Sequence, residues 1–107
     1  MSVAKKLDEW LRGALKYGST NKIILASPAA ATVLDAELSP SGAWVSAAAN
    51  ETYDRFVVDA YLAGAYGRRI PVSVIRGWAD EDTLFMLDLE QFKTTHLSGL
   101  RDEFVAA

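Results

Sequence analysis

Residues 22–38 read KIILASPAAATVLDAEL, and the fold turns on the junction inside this stretch. Lys22-Ile23-Ile24-Leu25-Ala26 is a short, strongly apolar run with the composition of a strand. Ser27 follows as a helix cap, and Pro28 takes the first helical position, where a missing N–H removes no hydrogen bond. Residues 29–38 continue as a helix with Ala30, Val33, Leu34 and Glu37 in register, and Ser39-Pro40-Ser41-Gly42 stops it. A strand that feeds a capped helix at once places this chain among proteins with both element types.

Upstream, residues 2–17 read as an amphipathic helix. Val3, Leu7, Trp10, Leu11, Ala14 and Leu15 recur at three- and four-residue steps and form one apolar stripe. Ser2 is placed to cap it, Gly18 to end it in the left-handed conformation, and Asp8 and Arg12 are spaced for an ion pair on its polar face. Ser19-Thr20-Asn21 makes the turn into the strand.

Downstream the pattern is less uniform. Residues 43–50 (AWVSAAAN) fit either a loop or a strand carrying Trp44. Residues 53–66 show helical spacing in Tyr53, Phe56, Val57, Ala60, Tyr61 and Gly64, yet Phe56-Val57-Val58 and Tyr61-Leu62 also suit strands. A hairpin is the preferred reading, because Gly67-Arg68-Arg69 can turn the chain into Ile70-Pro71-Val72-Ser73-Val74-Ile75, which alternates as a strand. Pro71 marks that strand as an edge or a strand beginning. Residues 77–82 form an acidic loop, 83–87 a strand, 88–91 a turn and 92–97 a paired strand, with the tail from Ser98 folding back through Leu100 and Phe104.

The whole is expected to be one α+β domain. With 107 residues, half of them hydrophobic, the chain can bury a core of its own. It has no cysteine, which excludes disulfides, thiol catalysis and thiolate metal sites. No apolar run reaches the roughly 20 residues of a membrane helix. A net charge of −3 with scattered basic residues speaks against a nucleic-acid site.

A search for chemistry finds no assembled site. The single histidine, His96, alternates with Thr95 and Leu97 in a strand and reads as a surface or interface residue rather than a base or ligand. Ser27 is better explained as a cap than as a nucleophile. Asp80-Glu81-Asp82 could help hold a hard cation but lacks the spacing of a calcium loop, and a solvated acidic turn explains it better. Asp88 and Glu90 could be paired as acid and base, but a chain with 14 acidic residues offers many such pairs. No phosphate-binding glycine motif is present, and Gly64-Ala65-Tyr66-Gly67 reads as a turn. Arg68 and Arg69 suit an acidic partner surface or a solvated hairpin tip, and both readings stay open. Neither catalysis nor a cofactor nor a metal is expected.

The succession of elements carries a resemblance. A long helix ends at a glycine turn and leads into KIILASPAAATVLDAEL, and later comes AYGRRIPVSVIRGWADEDTLFMLDLEQFKTTHL. This order resembles the C-terminal half of tailed-phage major capsid proteins of the Hong Kong-97 type. The resemblance implies that residues 1–18 act as a spine-type helix and residues 19–107 as an α+β body. It further implies a long N-terminal helix, a small mostly antiparallel sheet and one or two further helices. The implied function is that of a structural shell subunit that self-assembles, found in the virion and made in the host cytoplasm. Its partners would be copies of itself or a related capsid protein, with no specific nucleic-acid site and no membrane. Trp10, Trp44, Trp78, Arg68 and Arg69 are the candidate interface residues, because aromatic and arginine side chains anchor interfaces; the three tryptophans serve equally as core residues. Capsid proteins of this family carry a further N-terminal region that locks neighbours together. Its absence ahead of Met1 leaves open an alternative, a capsid-like module that joins or redirects the assembly of another capsid protein.

Overall fold

A computed structural model describes residues 3–16, 18–63, 69–78 and 81–99. The junction at Ser27 joins β1 (Lys22–Ala26) to α2 (Pro28–Leu38). The Ser27 hydroxyl accepts a hydrogen bond from the Ala30 amide at 3.3 Å, as a helix cap does, and a second from the Thr83 amide at 3.1 Å. The Ser27 amide in turn donates to the Thr83 carbonyl at 3.0 Å. One side chain therefore starts the helix and ties it to the strand that begins at Thr83.

The first helix, α1, spans Val3–Lys16, and after α2 come seven strands, four of them only two or three residues long. These are β2 (Trp44–Ser46), β3 (Thr52–Tyr53), β4 (Phe56–Val57), β5 (Ala60–Leu62), β6 (Ile70–Val74), β7 (Thr83–Asp88) and β8 (Thr94–Ser98), with β1 before them. Short 3-10 turns occupy Ser39–Ser41 and Arg76–Trp78. Six strands form one sheet in the order β2-β5-β6-β1-β7-β8, while β3 and β4 make a separate two-stranded ribbon. β1 lies at the centre, parallel to β6 and antiparallel to β7.

The register sorts the side chains onto two faces. Ile24 lies opposite Val72 and Met86, Val72 opposite Ala60, and Leu62 opposite Trp44. All of these belong to one buried core with Leu7 and Leu11 of α1 and Ala30, Val33 and Leu34 of α2. Both helices therefore pack on the same face, and the alanines of α2 let its backbone approach the sheet. The other face carries Leu25, Phe85 and His96 in a row, with Trp78 stacked on Phe85 at 5.2 Å between ring centres. Ile23 and Val58 are buried apart from the main core. The ribbon is tethered through the Tyr53 hydroxyl, which is hydrogen-bonded to the Asn21 side chain.

Several expectations change. The chain is α+β, but α1 is no long spine: its 14 residues span about 21 Å at 1.5 Å per residue, and its apolar stripe is spent on the sheet. The sheet is mostly antiparallel, as expected, but it is mixed, because β1 and β6 run parallel at its centre. The Hong Kong-97-type architecture expected from the sequence is thus corrected to a two-helix domain on a mixed sheet. Residues 53–66 are not helical where described: β5 pairs antiparallel with β6, so the strand reading holds. Of the two readings of Pro71, the strand beginning holds, since it is the second residue of β6, and the edge does not, since β6 is flanked by β5 and β1. Trp44 lies in a short edge strand. Phe92 leaves the strand assigned to it, since β8 starts only at Thr94. The left-handed Gly18 and the Asp8–Arg12 pair, 2.9 Å apart, occur as expected. The Ser2 cap, the turn at 64–67, Arg68, Asp80 and the tail from Leu100 lie outside the described residues.

A candidate interface at one end of the sheet

The end of the sheet where β1 begins and β7 finishes gathers most of the polar structure. Asp88, 5% exposed, is paired across the ladder with Lys22, 4% exposed. The Asp88 carboxylate accepts from the Ser19 amide and the Ser19 hydroxyl, each at 2.7 Å, and from the Glu90 and Gln91 amides, each at 3.0 Å. The Ser19 hydroxyl contributes most to holding Asp88 well below the usual carboxylate range, burial opposes it, and the Gln91, Ser19 and Glu90 amides add to the depression. One ionised side chain thereby fixes both the turn after α1 and the turn after β7.

Lys22 serves the same junction from the other side. Its ammonium donates to the Ala14 carbonyl at 2.8 Å, satisfying a carbonyl in the last turn of α1, where a cation also meets the negative end of the helix. Asn21 completes the joint, its carbonyl accepting from the Leu89 amide at 2.9 Å and its side chain meeting Tyr53. These contacts bring the β7–β8 turn and the tip of the ribbon to the same end of the molecule.

Two features of this end face outward. Between the last turns of α1 and the β7–β8 pair lies an open cavity of about 170 Å³, whose lining includes Gly13, Ala14, Lys22, Asp88, Gln91 and Lys93. Beside it Phe92 is 79% exposed, the largest exposure of any large apolar side chain among the described residues; Val57 follows at 57%. Phe92 has φ +55°, a conformation costly for an aromatic residue, and its amide donates to the Asp88 carbonyl at 2.8 Å. The turn that Asp88 holds is what displays the ring.

The five sequence-derived interface residues do not form one patch. Trp44 is buried in the core, and Trp10 is half-buried against it from α1. Trp78 sits on the opposite face of the sheet, half-buried on Phe85. Arg69 is exposed, its guanidinium 4.2 Å from the centre of the Tyr61 ring, and Arg68 lies outside the described residues. The hydrogen bond between Tyr61 and Glu51 raises the Tyr61 pKa above its ordinary value. His96 is exposed, its ring 5.9 Å from that of Phe85.

Sequence reasoning placed Asp88 at the start of a turn but not as the side chain that holds it, and it missed Lys22 and Phe92. An aspartate whose side chain accepts from the amide two residues on is a turn device, so the Asp88-Leu89-Glu90 spacing held a signal for that role. Nothing local marked Lys22 as buried or Phe92 as exposed. The Asp88–Glu90 acid pair resolves into a structural turn, and the Ser27 hydroxyl is engaged by two amides. Among the described residues no group of three or more acidic, histidine or cysteine side chains is placed to hold a metal ion, and no helix is long and apolar enough to cross a membrane. Compared with protein-family models, with curated proteins and with solved structures, the chain finds no match.

Proposed function

We propose that this chain is a structural subunit that builds a protein shell of the tailed-phage kind by associating with copies of itself. The observation that carries the reading is the open sheet: β2 ends it on one side and β8 on the other. Among the described residues no strand covers the outer edge of β2 or of β8, and two such edges on opposite sides of one subunit are suited to head-to-tail association, which closes into rings when the rotation allows. The order of the remaining sequence elements, from the strand–Ser-Pro–helix segment to the closing strands, is the reason to name a shell rather than another assembly. On this reading the chain resides in the virion after synthesis in the host cytoplasm, and its mechanism is surface complementarity rather than catalysis.

Light scattering on a sizing column, with negative-stain images of the early fractions, tests the proposal. Rings, capsomers or shells whose yield rises with protein concentration and changes with salt are the expected result. A clean monomer at high concentration overturns it and favours the alternative, a module that joins the assembly of a different capsid protein. That alternative is checked by adding the chain to an assembling capsid protein and measuring particle yield and size.

A further inference from the structure

We infer that Phe92 anchors a two-fold contact between copies of this chain, each ring entering the cavity beside Asp88 of the other copy; this rests on the shell-subunit reading and names one of its contacts. The first support is the state of Phe92 itself. It is an aromatic side chain held 79% exposed at a left-handed backbone position, a combination that opposes folding twice over. A glycine or asparagine would suit that position better, so the ring is not there for the turn.

Size supplies the second support. The cavity holds about 170 Å³, and a protein cavity of about 150 Å³ accepts benzene. Its lining includes Gly13, Ala14 and Met86 beside the charged Lys22 and Asp88, and a thioether is a favourable neighbour for an aromatic ring. A methyl group built on Gly13 would meet nothing within 4 Å, so a side chain can be added at this wall without a clash.

Placement is the third. Gln91 and Lys93 flank Phe92 in sequence and also border the cavity, so projection and recess lie side by side on one patch. A patch that holds both halves of a contact is self-complementary, which is what a two-fold interface requires. The occupant is therefore a second copy of the chain. The Asp88 hydrogen bonds fix the turn in advance, so little ordering is left to oppose association.

Sedimentation equilibrium of the full chain and of Phe92→Gly, with thermal melts of both, is the experiment. Phe92→Gly should weaken self-association about 30-fold, as loss of an aromatic anchor does. In melts run dilute enough that both chains are monomeric, the same change should raise the melting temperature by about 3–5 °C, because it relieves the backbone strain. A general folding defect would move both readings down together. Gly13→Leu, which fills the cavity and favours the helix, should weaken association to a similar degree. A mixture of the two variants should regain an intermediate affinity, since one ring and one open cavity then meet. Wild-type association that survives either substitution, or a mixture no tighter than its parts, overturns the Phe92 contact and leaves the shell reading standing. A wild-type chain that never associates overturns both.

Discussion

Ser27 and Asp88 are buried polar side chains at opposite ends of β1, and each joins segments far apart in the chain. Ser27 bonds the start of α2 to Thr83, while Asp88 bonds the turn at Ser19 to the turn at Glu90 and Gln91. Their chemistry differs. The hydroxyl is neutral and accepts from two amides; the carboxylate is charged and accepts from three amides and a hydroxyl. A neutral clamp of this kind is modest and indifferent to pH, whereas a charged one holds more and can be released by acid. The end of the sheet with the stronger clamp is also the end that exposes Phe92.

Removing the charged clamp is the harshest way to test that contrast. Asp88→Ala leaves four donors without their acceptor and should lower the melting temperature by about 10 °C or more, read by circular dichroism. Acid should reach part of the same loss gradually. Because the folded chain holds Asp88 ionised to lower pH than the unfolded chain does, this stability is complete above the ordinary aspartate value of about 4 and is lost as pH falls below it toward the folded-state value. Melts between pH 6 and pH 2 should therefore fall more steeply for the wild type than for Asp88→Asn.

Gly18 sharpens the comparison further. Its φ is +82°, and a Cβ there would stand 2.3 Å from the Asp88 carboxylate. Gly18→Ala should cost roughly 2–3 kcal/mol, of which about 1–2 is left-handed strain alone. In an Asp88→Ala background only the strain should remain, a coupling that a double-mutant cycle measures by chemical denaturation. Ser27→Ala should have the smallest effect, about 1–2 kcal/mol, with the same cost at pH 7 and at pH 3. A steep acid dependence for Ser27→Ala relative to the wild type would erase the distinction between the clamps.

The two clamps also differ in how much of them could be read in advance. Ser27 announces itself locally, because Ser-Pro before an alanine-rich helical run is a cap whatever surrounds it, and both helices and most strands followed from similar short-range signals. Asp88 depends on a partner 69 residues away, and no periodicity reports that. The parallel pairing of β1 with β6 was hidden for the same reason: a strand's composition says that it is buried, not which neighbour it takes. Pro71 marked a strand beginning correctly, but its missing N–H could not tell that from an edge, and the strand is interior. Phe92 was assigned to a strand on β-propensity, which the turn held by Asp88 overrides. The length of α1 was overestimated by the resemblance rather than by its own pattern, which ends cleanly at Gly18.

The central place of β1 also sets the order of events when the chain folds. Its neighbours are β6 and β7, which begin at Ile70 and Thr83, so no strand adjacent in sequence can pair with it first. The middle of the sheet must wait for contacts of high sequence separation, which slow folding. On the ribosome, Lys22–Ala26 emerges long before its partners and leaves Ile23, Ile24 and Leu25 without cover. That interval is when an apolar segment is most exposed to association with the wrong chain.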